Sequence, residues 1–146
     1  MTKPRISRQL RRRVKERAHF CCEYCLSQEA YSPDPFSSEH IIPLATGGQS
    51  SEENLALACQ GCNNFKYNKT SVVDPITLQE VPLFNPRQDS WLEHFTWNQD
   101  CTELIGLTPT GRATIAELRL NRENVINLRQ VLIIAGKHPP PHRSFS

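Results

Sequence analysis

The side chains with the most chemistry to offer in this 146-residue chain are its cysteines, and four of the six fall into two identical spacings. Cys22-Glu23-Tyr24-Cys25 and Cys59-Gln60-Gly61-Cys62 are both Cys-x-x-Cys. That spacing turns two thiolates of one tight turn toward the same metal, and two such turns fill the four positions of a structural Zn²⁺. The stretch between them, Leu26 to Ala58, is 33 residues. A simple zinc ribbon has about 15–20, so the loop is expected to hold structure of its own. Two disulfides, or four unrelated buried thiols, are the alternatives. The sequence has no apolar N-terminal segment of the secretory kind and no apolar run long enough to span a bilayer. A reducing cytoplasm is therefore the expected compartment, and it favours metal over disulfide. Cys21 is an alternative to Cys22 as ligand, although Cys22 keeps the two-residue spacing. Cys101 stands alone and reads as a small buried residue.

Inside and just after the cysteine frame lie His40, Asn54 and Asn63. Glu39-His40-Ile41-Ile42-Pro43-Leu44 has the β-branched, apolar character of a short strand. Thr46-Gly47-Gly48-Gln49-Ser50 is turn chemistry, and Asn54 to Ala58 reads as a returning strand. Gly61 to Lys69 is expected to be helical, with Asn63 and Lys66 on one face. Strand, loop, strand and helix make a ββα unit in which His40 can face Asn63.

With these residues in place, the segment from Cys22 to Lys69 resembles the HNH endonuclease motif in its four-cysteine, zinc-stabilised form. His40 matches the first His, Asn54 the central Asn, and Asn63 the last position, which is His in some members and Asn in others. The offsets from His40 are 14 and 23 residues. Glu39 stands where the family commonly has Asp. Shorter downstream stretches, VPLFNPR, WLEHFTW and GLTPTGRATIAELRLNR, resemble the region C-terminal to the motif in a subgroup of small bacterial HNH proteins.

The resemblance implies hydrolysis of DNA phosphodiesters, with products carrying 5′-phosphate and 3′-hydroxyl ends. A neutral imidazole suits the general base near pH 7, so His40 is expected to take the proton from water. A catalytic divalent cation, Mg²⁺ or another, is expected beside His40 on Glu39 and Asn63, since a sparse oxygen shell suits an ion that keeps several waters. Asn54 is implied to tie the loop and fix the strand carrying His40. Lys66 and Lys69 are expected to meet phosphates. The alternative is a non-catalytic, zinc-dependent DNA-binding protein whose metal site Glu39 has degraded.

The formal net charge is only +2, but residues 1–17 carry eight Lys/Arg against Glu16, leaving −5 for the remainder. Ile6, Leu10, Val14 and Ala18 recur every fourth residue. Together these mark a basic amphipathic helix over 7–18, with Arg8, Arg12 and Lys15 as contacts to double-stranded DNA. A membrane helix would need a large aromatic or Leu-rich face, which is lacking.

The elements that must frame this chemistry are expected in one α+β domain, 1–146. A zinc-stabilised ββα-metal core at 20–70 comes after the basic helix, and 71–137 supplies an accessory hairpin and helices. Asp74 to Pro82 reads as a loop, Trp91 to Trp97 and Thr102 to Leu107 as a strand pair. Thr108-Pro109 reads as a helix start, Asn121 as the cap of a second helix with a Val125, Leu128, Val131, Leu132 face, and Gly136 as its end. His94 reads as a packing residue. Residues 138–146 lack core-forming capacity and are expected to be disordered.

Overall fold

The computed structural model describes residues 6–140. Lys3 and Arg5 of the basic stretch, and tail residues 141–146, lie outside them. The chain divides into two compact units at Thr70/Ser71. Among the described residues the fold is α+β: five α-helices and three separate two-stranded antiparallel sheets.

The first unit opens with α1 (Arg8–Arg17). Ser7 caps it, its hydroxyl accepting from the Leu10 N–H at 3.0 Å. Val14, on the narrow apolar stripe, is fully buried. The chain then turns through His19 and Phe20, both at positive φ, into the first cysteine pair. Strands β1 (Ser37–His40) and β2 (Leu55–Ala58) pair with Glu39 opposite Ala56 and His40 opposite Leu55. β2 is buried at every position, and α1 packs on it from one side. Helix α2 (Gln60–Lys66) begins on Cys59, whose Sγ accepts from the Cys62 N–H at 3.5 Å.

The first strand lies earlier than its residue types suggest. It ends at His40, and Leu44–Thr46 forms a 3₁₀ turn. The cause is Asn54. Its side chain takes the Ile42 N–H and C=O for itself (2.9 Å each) and so draws that peptide out of the ladder.

The second unit opens with a hairpin, β3 (Ser71–Val73) with β4 (Glu80–Pro82), where the sequence suggests only a loop. The Asp74-Pro75 signals belong to its turn: Asp74 accepts from the Ile76 and Thr77 N–H groups and the Thr77 hydroxyl. Trp91 to His94 forms a short helix, α3, and only Phe95–Trp97 (β5) is a strand, paired with β6 (Leu104–Gly106). Helix α4 (Pro109–Leu118) starts on Thr108, which accepts from Gly111 N–H at 3.0 Å. His94 Nδ1 lies 2.6 Å from the same hydroxyl.

Helix α5 (Glu123–Ile134) is preceded by Arg122 rather than capped by Asn121. The Asn121 amide instead bridges to Leu104, accepting from its N–H and donating to its C=O. The buried face of α5 is Val125, Arg129 and Leu132, with Val131 exposed. Arg129 is interior with both terminal nitrogens engaged by carbonyls: Nη1 donates to Thr102 and Nη2 to Leu120, and the guanidinium sits 5.1 Å over the Trp97 ring. Gly136, at φ 74, comes just after the helix end. His138 packs against Trp97 and bonds the Cys101 carbonyl, so the start of the expected tail is ordered.

Candidate functional site: a cysteine quartet and a histidine cleft

Cys22, Cys25, Cys59 and Cys62 place their sulfurs within 4.8 Å of one another, all buried. Cys25 Sγ and Cys59 Sγ are 3.7 Å apart. A tetrahedron with Zn–S bonds of about 2.3 Å has edges of about 3.8 Å, so the quartet fits zinc. None of the six cysteines is in a disulfide, and Cys21 lies outside the quartet with its thiol toward the His19 carbonyl. Burial pushes the Cys22 thiol well up, whereas hydrogen bonding from Cys22 and the other thiols holds Cys25 well down. Such a proton-sharing cluster gives up its protons to a divalent cation.

Beside the quartet is a cleft of about 530 Å³. Its lining includes Glu39 and His40 from β1, Asn63 from α2, Arg11 from α1, and Tyr67 and Asn68 just past α2. His40 and Glu39 are consecutive at the end of β1, and both line the cleft. His40 is half-buried, and its Nε2 lies 2.8 Å from Ser50 Oγ on the loop between the strands.

That loop is tied down by Asn54. Besides its two bonds to Ile42, it donates to the Gln49 carbonyl at 2.9 Å. Gly48 lets the loop close. A Cβ there would fall 1.8 Å from the Ile42 carbonyl oxygen and 2.8 Å from Asn54 Nδ2.

Glu39 is 5% exposed. Lys66 Nζ lies 3.3 Å from its Oε2, and the Tyr24 hydroxyl donates to its Oε1. Burial pushes the Glu39 carboxyl up, while Lys66 and Tyr24 pull it back. Lys66 is thus not the phosphate contact its helix position suggests. It is 1% exposed and also donates to the carbonyls of His40 and Ile41 at 3.2 and 3.1 Å. The helix period puts it on the Asn63 face, but the long stem carries the ammonium inward, where a carboxylate and two carbonyls replace its water. Lys69 donates to the Phe65 carbonyl.

On α1, Arg12 pairs with Glu16 in an exposed contact, and Lys15 with Glu29 at 2.9 Å. Arg17 donates to the carbonyls of Glu52 and Leu55, fastening α1 to the start of β2. Arg8 is exposed. Among the described residues, the cation that lines the cleft is Arg11, which the stripe periodicity does not single out because it leaves the helix rotation open. Tyr24 also escapes sequence reasoning, and its place between two metal-type cysteines is the signal that could have found it.

Residues 22–69 match the family model of the HNH endonuclease. The first unit therefore contains an HNH domain, with the four-cysteine cluster inside it. No curated protein and no solved structure matches the chain.

Proposed function

We propose that the chain is a metal-dependent endonuclease that hydrolyses DNA phosphodiesters, with His40 as general base. The observation that carries this reading is the cleft. It brings His40 and Asn63 to one cavity on a hairpin–helix frame whose loop is stapled by Asn54. HNH family members act generally on DNA.

The donor set of the cleft suits a hard divalent cation. Asn63 offers an amide oxygen, and Glu39 is the one carboxylate among the described lining residues. Tyr24 and Lys66 engage one site on each Glu39 oxygen, and a carboxylate has about four acceptor sites. Glu39 and Asn63 would hold the ion, Mg²⁺ by its preference for a sparse protein shell. When bound, it supplies charge neutralisation at the phosphate and its leaving oxygen.

The remaining work falls to the protein. The His40 imidazole accepts the proton of the attacking water, and Ser50 holds the ring in place. Lys66 fixes the end of β1 through two carbonyls, so the backbone bearing His40 is rigid. Arg11 places a cation at the cleft for the phosphate backbone. The zinc-type quartet agrees with a reducing compartment, the cytoplasm.

The engagement of Glu39 by Lys66 favours a second reading, a zinc-dependent DNA-binding protein without turnover. Incubation with supercoiled plasmid and Mg²⁺ or Mn²⁺ separates the two. Nicking that EDTA blocks, and that falls at least ~10²-fold in His40→Ala while DNA binding persists, is the expected result. Binding without nicking under every divalent ion would establish the second reading.

A further inference from the structure

Tyr67 closes α2 in an unusual way. Its backbone sits at φ 52 and ψ −115, a conformation that a bulky side chain adopts only under strain and that glycine adopts freely. The ring gains no burial in return, since Tyr67 is 76% exposed. It nevertheless lines the same cleft as His40 and Asn63. Arg11, exposed on α1, lines this cleft too, and α1 lies outside the matched family segment.

An exposed aromatic ring beside a phosphodiester-cleaving cleft offers a π-face, and nucleobases stack on such faces irrespective of sequence. In an intact duplex both faces of each base are already covered by neighbouring pairs. The ring finds a base face only where a nucleotide has left the stack. A guanidinium nearby supplies a charge-assisted contact to a phosphate.

We propose that Tyr67 and Arg11 form a nucleotide-binding wall of the cleft, Tyr67 stacking on an unpaired base and Arg11 holding a neighbouring phosphate. The preferred substrate is then DNA with unpaired nucleotides next to the scissile bond. This rests on the nuclease reading and narrows its substrate class.

The test is equilibrium binding of the full chain, without added divalent cation, to three oligonucleotides: a matched duplex, a duplex with a central unpaired stretch, and a single strand. The last two carry 2-aminopurine as an unpaired base. The wild type should bind the unpaired substrates more tightly than the duplex and quench 2-aminopurine. Tyr67→Leu should weaken unpaired binding about fivefold or more, abolish the quench and leave duplex affinity unchanged, whereas Tyr67→Phe should behave as wild type. Arg11→Gln should reduce the salt slope of binding by about 1 on every substrate. Tyr67→Gly relieves the backbone, so it should melt at or above the wild-type temperature while binding as poorly as Tyr67→Leu. That pairing separates loss of the ring from loss of the fold. Equal affinity for duplex and unpaired DNA, or a Tyr67→Leu variant that binds and quenches normally, overturns the proposal. If plasmid nicking persists alongside either result, the nuclease reading stands. A chain that neither binds nor cuts any DNA overturns both.

Discussion

The ammonium of Lys66 and the carboxylate of Glu39 form a buried ion pair, Nζ to Oε2 at 3.3 Å, with side chains 1% and 4% exposed. The pair joins three parts of the first unit. Tyr24, inside the first Cys-x-x-Cys, donates to Glu39, and Lys66 donates to the carbonyls of His40 and Ile41. The zinc-type knuckle, the strand bearing His40 and helix α2 therefore share one polar junction.

Removing one partner of such a pair leaves an uncompensated buried charge, which costs about 3–5 kcal/mol. Lys66→Met should lower stability by that order in urea unfolding. Glu39→Gln together with Lys66→Met should cost clearly less than the two single changes summed, because neither charge is then stranded. Additive losses would mean the two groups do not interact in solution.

The same carboxylate bears on the divalent ion. Under the nuclease reading, Glu39→Gln replaces a charged oxygen by an amide and should raise the Mg²⁺ or Mn²⁺ concentration needed for half-maximal nicking. Glu39→Asp should remain active. An unchanged ion titration in Glu39→Gln would make Glu39 a purely architectural residue, held by Lys66 and Tyr24 for packing.

Zinc loss should be more severe than either. Structural Zn²⁺ sites contribute on the order of 10–16 kcal/mol of apparent binding energy at pH 7, more than a small domain's net stability. Cys59→Ser, or a strong chelator, should unfold the first unit, and elemental analysis should find one zinc per wild-type chain. A folded, reduced preparation free of zinc would refute the assignment.

In the second unit, Arg112 grips Asp74 with two bonds, Nε to Oδ1 at 3.0 Å and Nη2 to Oδ2 at 2.8 Å. The Arg112 hydrogen bonds, then those from Thr77 and Ile76, hold the Asp74 carboxyl well below the usual range against the opposing effect of burial. A carboxyl whose folded pKa is depressed binds its proton more weakly in the folded than in the unfolded chain. Its stabilisation is complete above the unfolded value, about 3.9, and is lost as pH falls below that toward the folded value. Thermal unfolding of Asp74→Asn should show a lower midpoint than wild type at pH 7, with the gap closing below about pH 4. A constant gap across that range would mean Asp74 does not titrate with folding.

The cysteine quartet was readable because spacing alone dictates which thiolates can meet, and the ββα order was readable from turn residues between apolar runs. What escaped the sequence was side-chain direction. Lys66 shares a helical face with Asn63, but periodicity does not say that a four-carbon stem folds inward to the Glu39 carboxylate on β1. Arg129 sits on the buried face of α5 because carbonyls of the Thr102 and Leu120 segments await it, and nothing local to α5 announces them. Asp74-Pro75 signals a break in chain direction, which a loop and a hairpin turn share. Arg11 and Tyr67 reach the cleft through a helix rotation and a backbone conformation that residue types do not encode.

Asn54 offers the sharpest test of how the loop governs His40. Its amide makes three bonds: it accepts from the Ile42 N–H, and donates to the Ile42 and Gln49 carbonyls. Asn54 is 9% exposed, whereas Ile42 and Gln49 are exposed, so water replaces part of what truncation removes and the loss is about 1–3 kcal/mol in all. Asn54→Ala should therefore destabilise the first unit, release Ser50 from its place beside His40, and reduce nicking more than the stability loss explains at a temperature where the variant is folded. Asn54→Asp separates donor from acceptor. The carboxylate still accepts from Ile42 N–H but faces two carbonyl oxygens it cannot serve, so it should do no better than alanine. Gly48→Ala attacks the same closure sterically, since its methyl group would fall 1.8 Å from the Ile42 carbonyl oxygen, and should reproduce the nicking defect. All three variants should keep one zinc per chain, because the quartet lies on other segments. Full nicking activity in folded Asn54→Ala would show that the His40 strand holds its position without the loop.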